Sequence, residues 1–153
     1  MPREPIPTWY FALVVVRRGD AFLLVHEAKH GQGWFLPAGR AEAGESLVAA
    51  AERETMEEAG IPIRVTGVLR LEHTPGNHGA RLRVFFFAEA LDDRPPKSVP
   101  DGESLGAEWV HLDDLDRLAL RDEEVAEVLH AVARGLRPVP VAILQAEGQP
   151  WTH

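Results

Sequence analysis

Two apolar, β-rich runs open the chain, residues 10–16 and 21–27, and Arg17, Arg18, Gly19 and Asp20 between them form a turn signal that predicts a hairpin. Trp34, Phe35 and Leu36 form a third short strand, cut off by Pro37. Residues 46–59 then contain neither Gly nor Pro; Ser46 suits an N-cap, and Gly60 with Pro62 ends the helix. Val48, Ala51, Thr55 and Ala59 recur on it at spacings of three and four, which turns them toward a sheet and leaves the glutamates facing a cleft. Residues 63–72 and 81–90 alternate as strands, joined by a turn at Pro75, Gly76, Asn77, His78 and Gly79. A Pro-rich polar loop spans 94–102, and a strand follows at 105–111. Asp113 and Asp114 are expected to cap a short helical stretch. A second helix covers 122–134, with Val125, Val128, Leu129 and Val132 on its apolar face and Gly135 at its end. In the tail, Val139, Val141 and Ile143 suit one strand, confined to an edge by Pro138 and Pro140. This order of elements predicts an α/β fold, a mixed β-sheet between helices.

The first helix also carries the chemistry. Glu54, Glu57 and Glu58 stand at i, i+3 and i+4, so their Cβ atoms lie about 5–6 Å apart on one side of the helix. Two like charges about 4 Å apart repel by about 1 kcal/mol in water and about 4 kcal/mol at an effective dielectric near 20, and a divalent cation offsets that repulsion. The spacing extends further. Gly39 is followed after five residues by Glu45, after seven more by Arg53 and Glu54, then by Glu57 and Glu58, then by Gly60 and Ile61. At about 7% frequency per position, the seven fixed residues Gly39, Glu45, Arg53, Glu54, Glu57, Glu58 and Gly60 match one register by chance with probability on the order of 10⁻⁸. A solvated acidic helix gives no reason for Gly39, Glu45 and Gly60 to keep that register.

This 39–61 segment resembles the signature box of the Nudix hydrolases (MutT-type), with one departure: Thr55 stands where the family usually carries an aliphatic residue. The resemblance implies the Nudix α/β/α sandwich over a single domain, 1–153. It further implies Mg²⁺ or Mn²⁺ as cofactor, with Glu54, Glu57 and Glu58 as metal ligands, the Gly39 carbonyl as another, and Glu45 supporting the cluster directly or through water. In the family the general base is either the residue at the Glu54 position or a glutamate on a distant loop, and Glu103, six residues before Trp109, is the distal candidate. Hard carboxylate oxygens without thiols fit the same metals.

Around these residues several readings stay open. Arg53, at i, i+4 from Glu57, is expected to brace a ligating carboxylate in fork geometry rather than touch substrate. Arg40 either binds a phosphate or pairs with Glu42. Trp34 and Phe87, like Trp9 and Phe85, are either core residues or a platform for a base. Glu124, with Asp122 and Glu123, either reads a purine or simply suits the helix dipole. His26, His30, His73 and His78 lack helical ligand spacing and read as surface or packing residues.

Composition narrows the partners. The 153 residues carry a formal net charge of −8 and no block of Lys and Arg, which argues against duplex nucleic acid. There is no cysteine, which excludes thiolate metal sites and fits a reducing compartment, and the first apolar run is too short to span a bilayer. A cytoplasmic, soluble protein is expected, with a small-molecule nucleotide as partner; homodimer formation stays open. The run Leu36, Pro37, Ala38, Gly39, Arg40, and Trp109 and Val110 followed by Asp113 and Asp114, are similar to the NudJ-like and oxidised-nucleotide phosphatase subgroup. The activity so implied is metal-dependent cleavage of a diphosphate bond in a nucleoside di- or triphosphate, or in a nucleoside diphosphate linked to another group. One alternative is an ADP-ribose or other nucleotide-sugar pyrophosphatase, since Pro75 falls one residue short of a proline such enzymes place beyond the box. A non-catalytic Nudix-fold regulator is the other, although such a protein is expected to lose ligating acids that this chain keeps. Isopentenyl diphosphate isomerase shares the fold but needs a cysteine absent here.

Overall fold

Why β1 is apolar almost throughout becomes clear from its two neighbours and two covered faces. In the computed structural model, which describes residues 3–151, the strands are β1 (Thr8–Arg18), β2 (Ala21–Glu27), β3 (Trp34–Phe35), β4 (Ala38–Arg40), β5 (Ile63–Thr74), β6 (Ala80–Ala90), β7 (Ser104–His111) and β8 (Val139–Pro140), and the helices are α1 (Leu47–Ala59) and α2 (Glu124–Ala133). β1 pairs parallel with β6, from Thr8 opposite Ala80 to Val16 opposite Ala88, and antiparallel with β4 along its other edge. Ala12, Val14 and Val16 point to the α1 face, where Ala50, Ala51 and Ala59 meet them. Leu13 and Val15 point to the α2 face, against Val125, Leu129 and Val132. A strand buried on both faces reads as a continuous apolar run rather than an alternating one. The result is the expected mixed sheet between helices.

The β1–β2 turn forms, but the hairpin ladder holds only Arg17 opposite Phe22 and Arg18 opposite Ala21. Beyond it β2 leaves β1 to pair with β7 and β3, so β4 takes the vacated edge of β1. This exchange matters because β4 carries Gly39 beneath α1.

α1 begins at Ser46, whose hydroxyl accepts from the Ala49 N–H at 3.0 Å, and ends at Gly60, whose φ of 69° is the left-handed conformation that lets its N–H close on Met56 O. Thr55 is fully buried and donates its hydroxyl to Ala51 O at 2.8 Å, which satisfies the polar atom at a position otherwise suited to an aliphatic residue. Three expectations need correcting. Asp113 and Asp114 lie inside the first turn of the 3₁₀ stretch Leu112–Arg117, which no side chain caps; their charges still suit its N-terminal end. The second helix starts at Glu124, because Asp122 Oδ1 accepts from the Glu124 N–H and holds the preceding residues in a turn. In the tail only Val139–Pro140 pairs, with Gly67 and Val68, after which Val141–Ile143 turns into a 3₁₀ helix.

Candidate active site

The acidic half of α1 runs directly over β4. A Cβ placed on Gly39 would lie 2.1 Å from Cδ and Oε1 of Glu54, so any larger residue there would push that carboxylate aside. Next to it the Ala38 N–H donates to Glu58 Oε1 at 2.8 Å, tying the helix to β4 at a second point.

Arg53 holds the cluster in place. Its Nε and Nη2 form a fork on Glu45 at 2.7 and 2.9 Å, Nη2 also reaches Arg40 O at 3.1 Å, and Nη1 bridges Glu54 at 2.9 Å and Glu57 at 3.1 Å. All five guanidinium N–H donors thereby find an acceptor. The fork is made on Glu45, which sits at the entry to the helix, where both its oxygens can face the guanidinium side-on, while Glu54 and Glu57 receive one bond each. Those hydrogen bonds from Arg53, aided by the Glu42 N–H, pull the Glu45 carboxyl down to about 2.

The remaining carboxylates move the other way. Burial pushes Glu58 up to about 8 despite the Ala38 N–H, and the charges of Glu54, Glu27 and Glu103 add to the rise. Burial also raises Glu54, opposed by Arg53, and raises Glu27, opposed by Arg121. A cation among these groups would favour their ionised forms against the cost of burial, and hard oxygen donors beside an open cleft fit Mg²⁺ or Mn²⁺. Among the described residues no three carboxylates already surround a common point; Nη1 of Arg53 lies between Glu54 and Glu57.

Glu103 reaches the same place from a different part of the chain. Its loop is fixed to the last turn of α1: Lys97 N donates to Ala59 O at 2.8 Å, Lys97 Nζ to Glu57 O, and the buried Ser104 hydroxyl to Glu58 O at 2.6 Å. Asp101 Oδ1 accepts from the N–H groups of both Glu103 and Ser104, which shapes the turn that presents Glu103.

A cleft of ≈ 730 Å³ opens from Glu58 and Glu103 across the α2 face of the sheet, a size usual for small-ligand sites. Its floor is the alternating set Trp9, Phe11 and Leu13 on β1 and Arg81 and Arg83 on β6. Arg83 pairs with Glu72 at 3.3 Å and with Glu124 at 2.5 Å, while Arg121 pairs with Glu27 at 3.1 Å. Arg40 and Glu124 lie in this cleft; Arg40 stacks over Trp9 at 4.8 Å, and Glu42 approaches Arg53 at 3.9 Å rather than Arg40. Trp34 and Phe87 line no part of it. Trp34 lies flat on His26, its cross-strand partner, at 4.7 Å, and Phe87, opposite Val15, is on the correct face but too far along β6, beside the α2 core. Phe35, beside Trp34, lines the cleft in its place, and so does His30, read above as a surface residue. Glu27, Arg81, Arg83 and Arg121 escaped the sequence reading. A signal for Glu27 was present: a carboxylate that closes the apolar run of β2.

A family model described as the NUDIX domain matches residues 8–132. The chain belongs to the Nudix hydrolase family. Phosphatase NudJ of Escherichia coli K12 is 31% identical over 140 residues, covering 90% of this chain and 91% of that protein. A Caenorhabditis elegans relative named as a Nudix hydrolase is 37% identical over 108 residues, 68% of this chain, and the match spans only 28% of that longer protein. Among solved structures, a Nudix hydrolase from Nitrosomonas europaea superposes with a TM-score of 0.75 at 26% identity, over 93% of this chain and 99% of the other. No helix among the described residues is long and apolar enough to cross a membrane.

Proposed function

We propose that this chain is a cytoplasmic, metal-dependent pyrophosphohydrolase acting on nucleoside di- or triphosphates. Glu54, Glu57 and Glu58 would hold Mg²⁺ or Mn²⁺ with the Gly39 carbonyl, and Glu45 would act on them through Arg53. When bound, the ion neutralises phosphate oxygens and acidifies a water. Glu103 accepts the proton of the attacking water, whose oxygen bonds to phosphorus as the anhydride P–O bond breaks and a phosphate leaves. Arg53 keeps the ligating carboxylates oriented, and the cleft beyond Glu58 receives the nucleoside, with Glu124 available to a base. The observation that carries this reading is that Glu58 from α1 and Glu103 from a separate loop line one cleft with arginines along its floor, with Glu54 near enough for its charge to raise Glu58. The relative named phosphatase NudJ supports phosphate rather than sugar phosphate as the leaving group.

The test is phosphate release from a panel of nucleoside di- and triphosphates, and AMP release from ADP-ribose, with and without Mg²⁺. Glu57→Gln is expected to lower turnover by orders of magnitude with unchanged circular dichroism. Normal turnover in that variant, or equal rates in chelator, refutes the assignment.

A further inference from the structure

Four arginines line the cleft, and they divide into two kinds. Arg83 and Arg121 are neutralised in place by Glu72, Glu124 and Glu27. Among the described residues, Arg40 and Arg81 have no carboxylate within 4.0 Å and neither side chain donates a hydrogen bond. They sit on strands either side of β1: Arg40 on β4, opposite Phe11, and Arg81 on β6, opposite Trp9. Their guanidinium groups cross inward, Arg40 over the Trp9 ring at 4.8 Å and Arg81 over the Phe11 ring at 4.7 Å. β4 and β6 are about 10 Å apart with β1 between them, so the inward lean brings two unpaired cations toward one patch of the cleft floor. Aromatic faces beneath them fix the planes of the forks without consuming any N–H donor. Trp9 is 57% exposed, which leaves the patch open to a ligand.

The position along β1 tells what this patch would hold. Leu13 is opposite Ala38, whose N–H anchors Glu58, and Phe11 and Trp9 lie two and four residues away toward the outer end. At about 3.3 Å per residue the two rings beneath the cations lie roughly 7 and 13 Å along β1 from the Ala38 anchor of Glu58.

We propose that Arg40 and Arg81 form a second anion site, which binds a phosphate on the substrate remote from the anhydride cleaved at the acidic cluster. This deepens the proposed function and rests on its nucleotide chemistry. The favoured substrate class is a nucleoside diphosphate derivative with an additional phosphate, supplied either as a ribose phosphomonoester or by a longer phosphate chain. In a chain with a formal charge of −8, such a local pair of cations is what draws a multiply charged anion to the cleft.

Calorimetry without metal separates this site from catalysis. Adenosine 3′,5′-bisphosphate is expected to bind at least tenfold more tightly than AMP, and Arg40→Ala or Arg81→Ala to bring that ratio toward one; Arg40→Lys keeps part of it, because it restores charge without the fork. A parallel comparison of ATP with ADP identifies the source: a tenfold preference there, lost in the same variants, assigns the site to the phosphate chain. Equal affinities within both pairs, a preference that survives both alanine substitutions, or no binding of any of these nucleotides at millimolar concentration overturns the proposal. Intact preference together with no metal-dependent hydrolysis overturns the proposed function instead and leaves the anion site standing.

Discussion

Glu58→Gln tests whether the acidic cluster is held in an unfavourable state that a metal is meant to relieve. Burial lifts the Glu58 carboxyl from 4.5 to about 8, so the folded protein binds this proton more tightly than the unfolded chain. A raised carboxyl contributes stability that is fully present below 4.5 and is lost as pH rises toward 8. Across the 2.5 pH units from 4.5 to 7 the loss is about 3 kcal/mol at 1.36 kcal/mol per unit. A chain of this length shifts its melting temperature by about 2–4 °C per kcal/mol, which gives about 6–12 °C. Glutamine keeps the acceptor for the Ala38 N–H and removes the titration; the cost of burying its amide donors is independent of pH. In chelator, the variant's melting temperature minus that of the native chain should therefore rise by about 6–12 °C between pH 4.5 and 7, whatever its sign at the acid end. Mg²⁺ should stabilise the native chain at pH 7 and the variant far less, with proton release on binding in the native chain alone. A melting difference that stays flat with pH refutes the claim that Glu58 is buried and uncompensated.

Three further substitutions probe the supports of the cluster. Gly39→Ala puts a methyl 2.1 Å from the Glu54 carboxylate and should cut Mg²⁺-dependent turnover by about 100-fold with α1 intact by circular dichroism; full activity would mean that Glu54 can move away freely. Arg53→Lys replaces five donors by three and should weaken metal affinity or activity by about 10- to 100-fold, read by metal titration and initial rates. Ser104→Ala leaves Glu58 O without its 2.6 Å hydroxyl donor and should cost about 1–3 kcal/mol of stability. It should also lower kcat more than it raises KM and alter the pH–rate profile, with recovery in Ser104→Thr; a stability loss with unchanged kinetics would show that the loop clamp does not position Glu103.

What was legible in the sequence is what depends on neighbours along the chain. The register of Ser46, Thr55 and Gly60 fixes where α1 starts, which face it buries and where it stops, and each of these follows from capping and 3.6-residue periodicity. The Gly39 position was legible only as spacing; its cause, the approach of Glu54 to bare backbone, belongs to the packing of α1 on β4. The β1–β2 hairpin shows the limit more sharply. Its turn is local chemistry and forms, whereas the parting of β2 from β1 after two residue pairs depends on β4 and β7 competing for the same edges. The misplaced Phe87 has the same origin: alternation gave it the correct face, but its distance from the cleft is set by the parallel register of β1 with β6, which no local pattern encodes.

The charges of the cleft follow one arrangement that neither half of the chain shows alone. Arg53 compensates Glu45, Glu54 and Glu57 from within α1, and its five bonds leave Glu58 outside its reach. Glu27, Glu54 and Glu103 then raise Glu58 further, and of these only Glu54 is its neighbour in sequence. The buried carboxyl with the largest upward shift is thus the one that the motif arginine does not touch, flanked by Glu103 and opening onto the arginine-lined floor. The same cleft thus holds Glu58 and Glu103 together with Arg40 and Arg81, which have no ion-pair partner among the described residues. A metal-bound phosphate group satisfies the carboxylates, and a second anion satisfies the arginines. That division is why the Glu58 and Arg40 substitutions should act on different observables: the first on pH-dependent stability and metal uptake, the second on discrimination between nucleotides that differ by one phosphate.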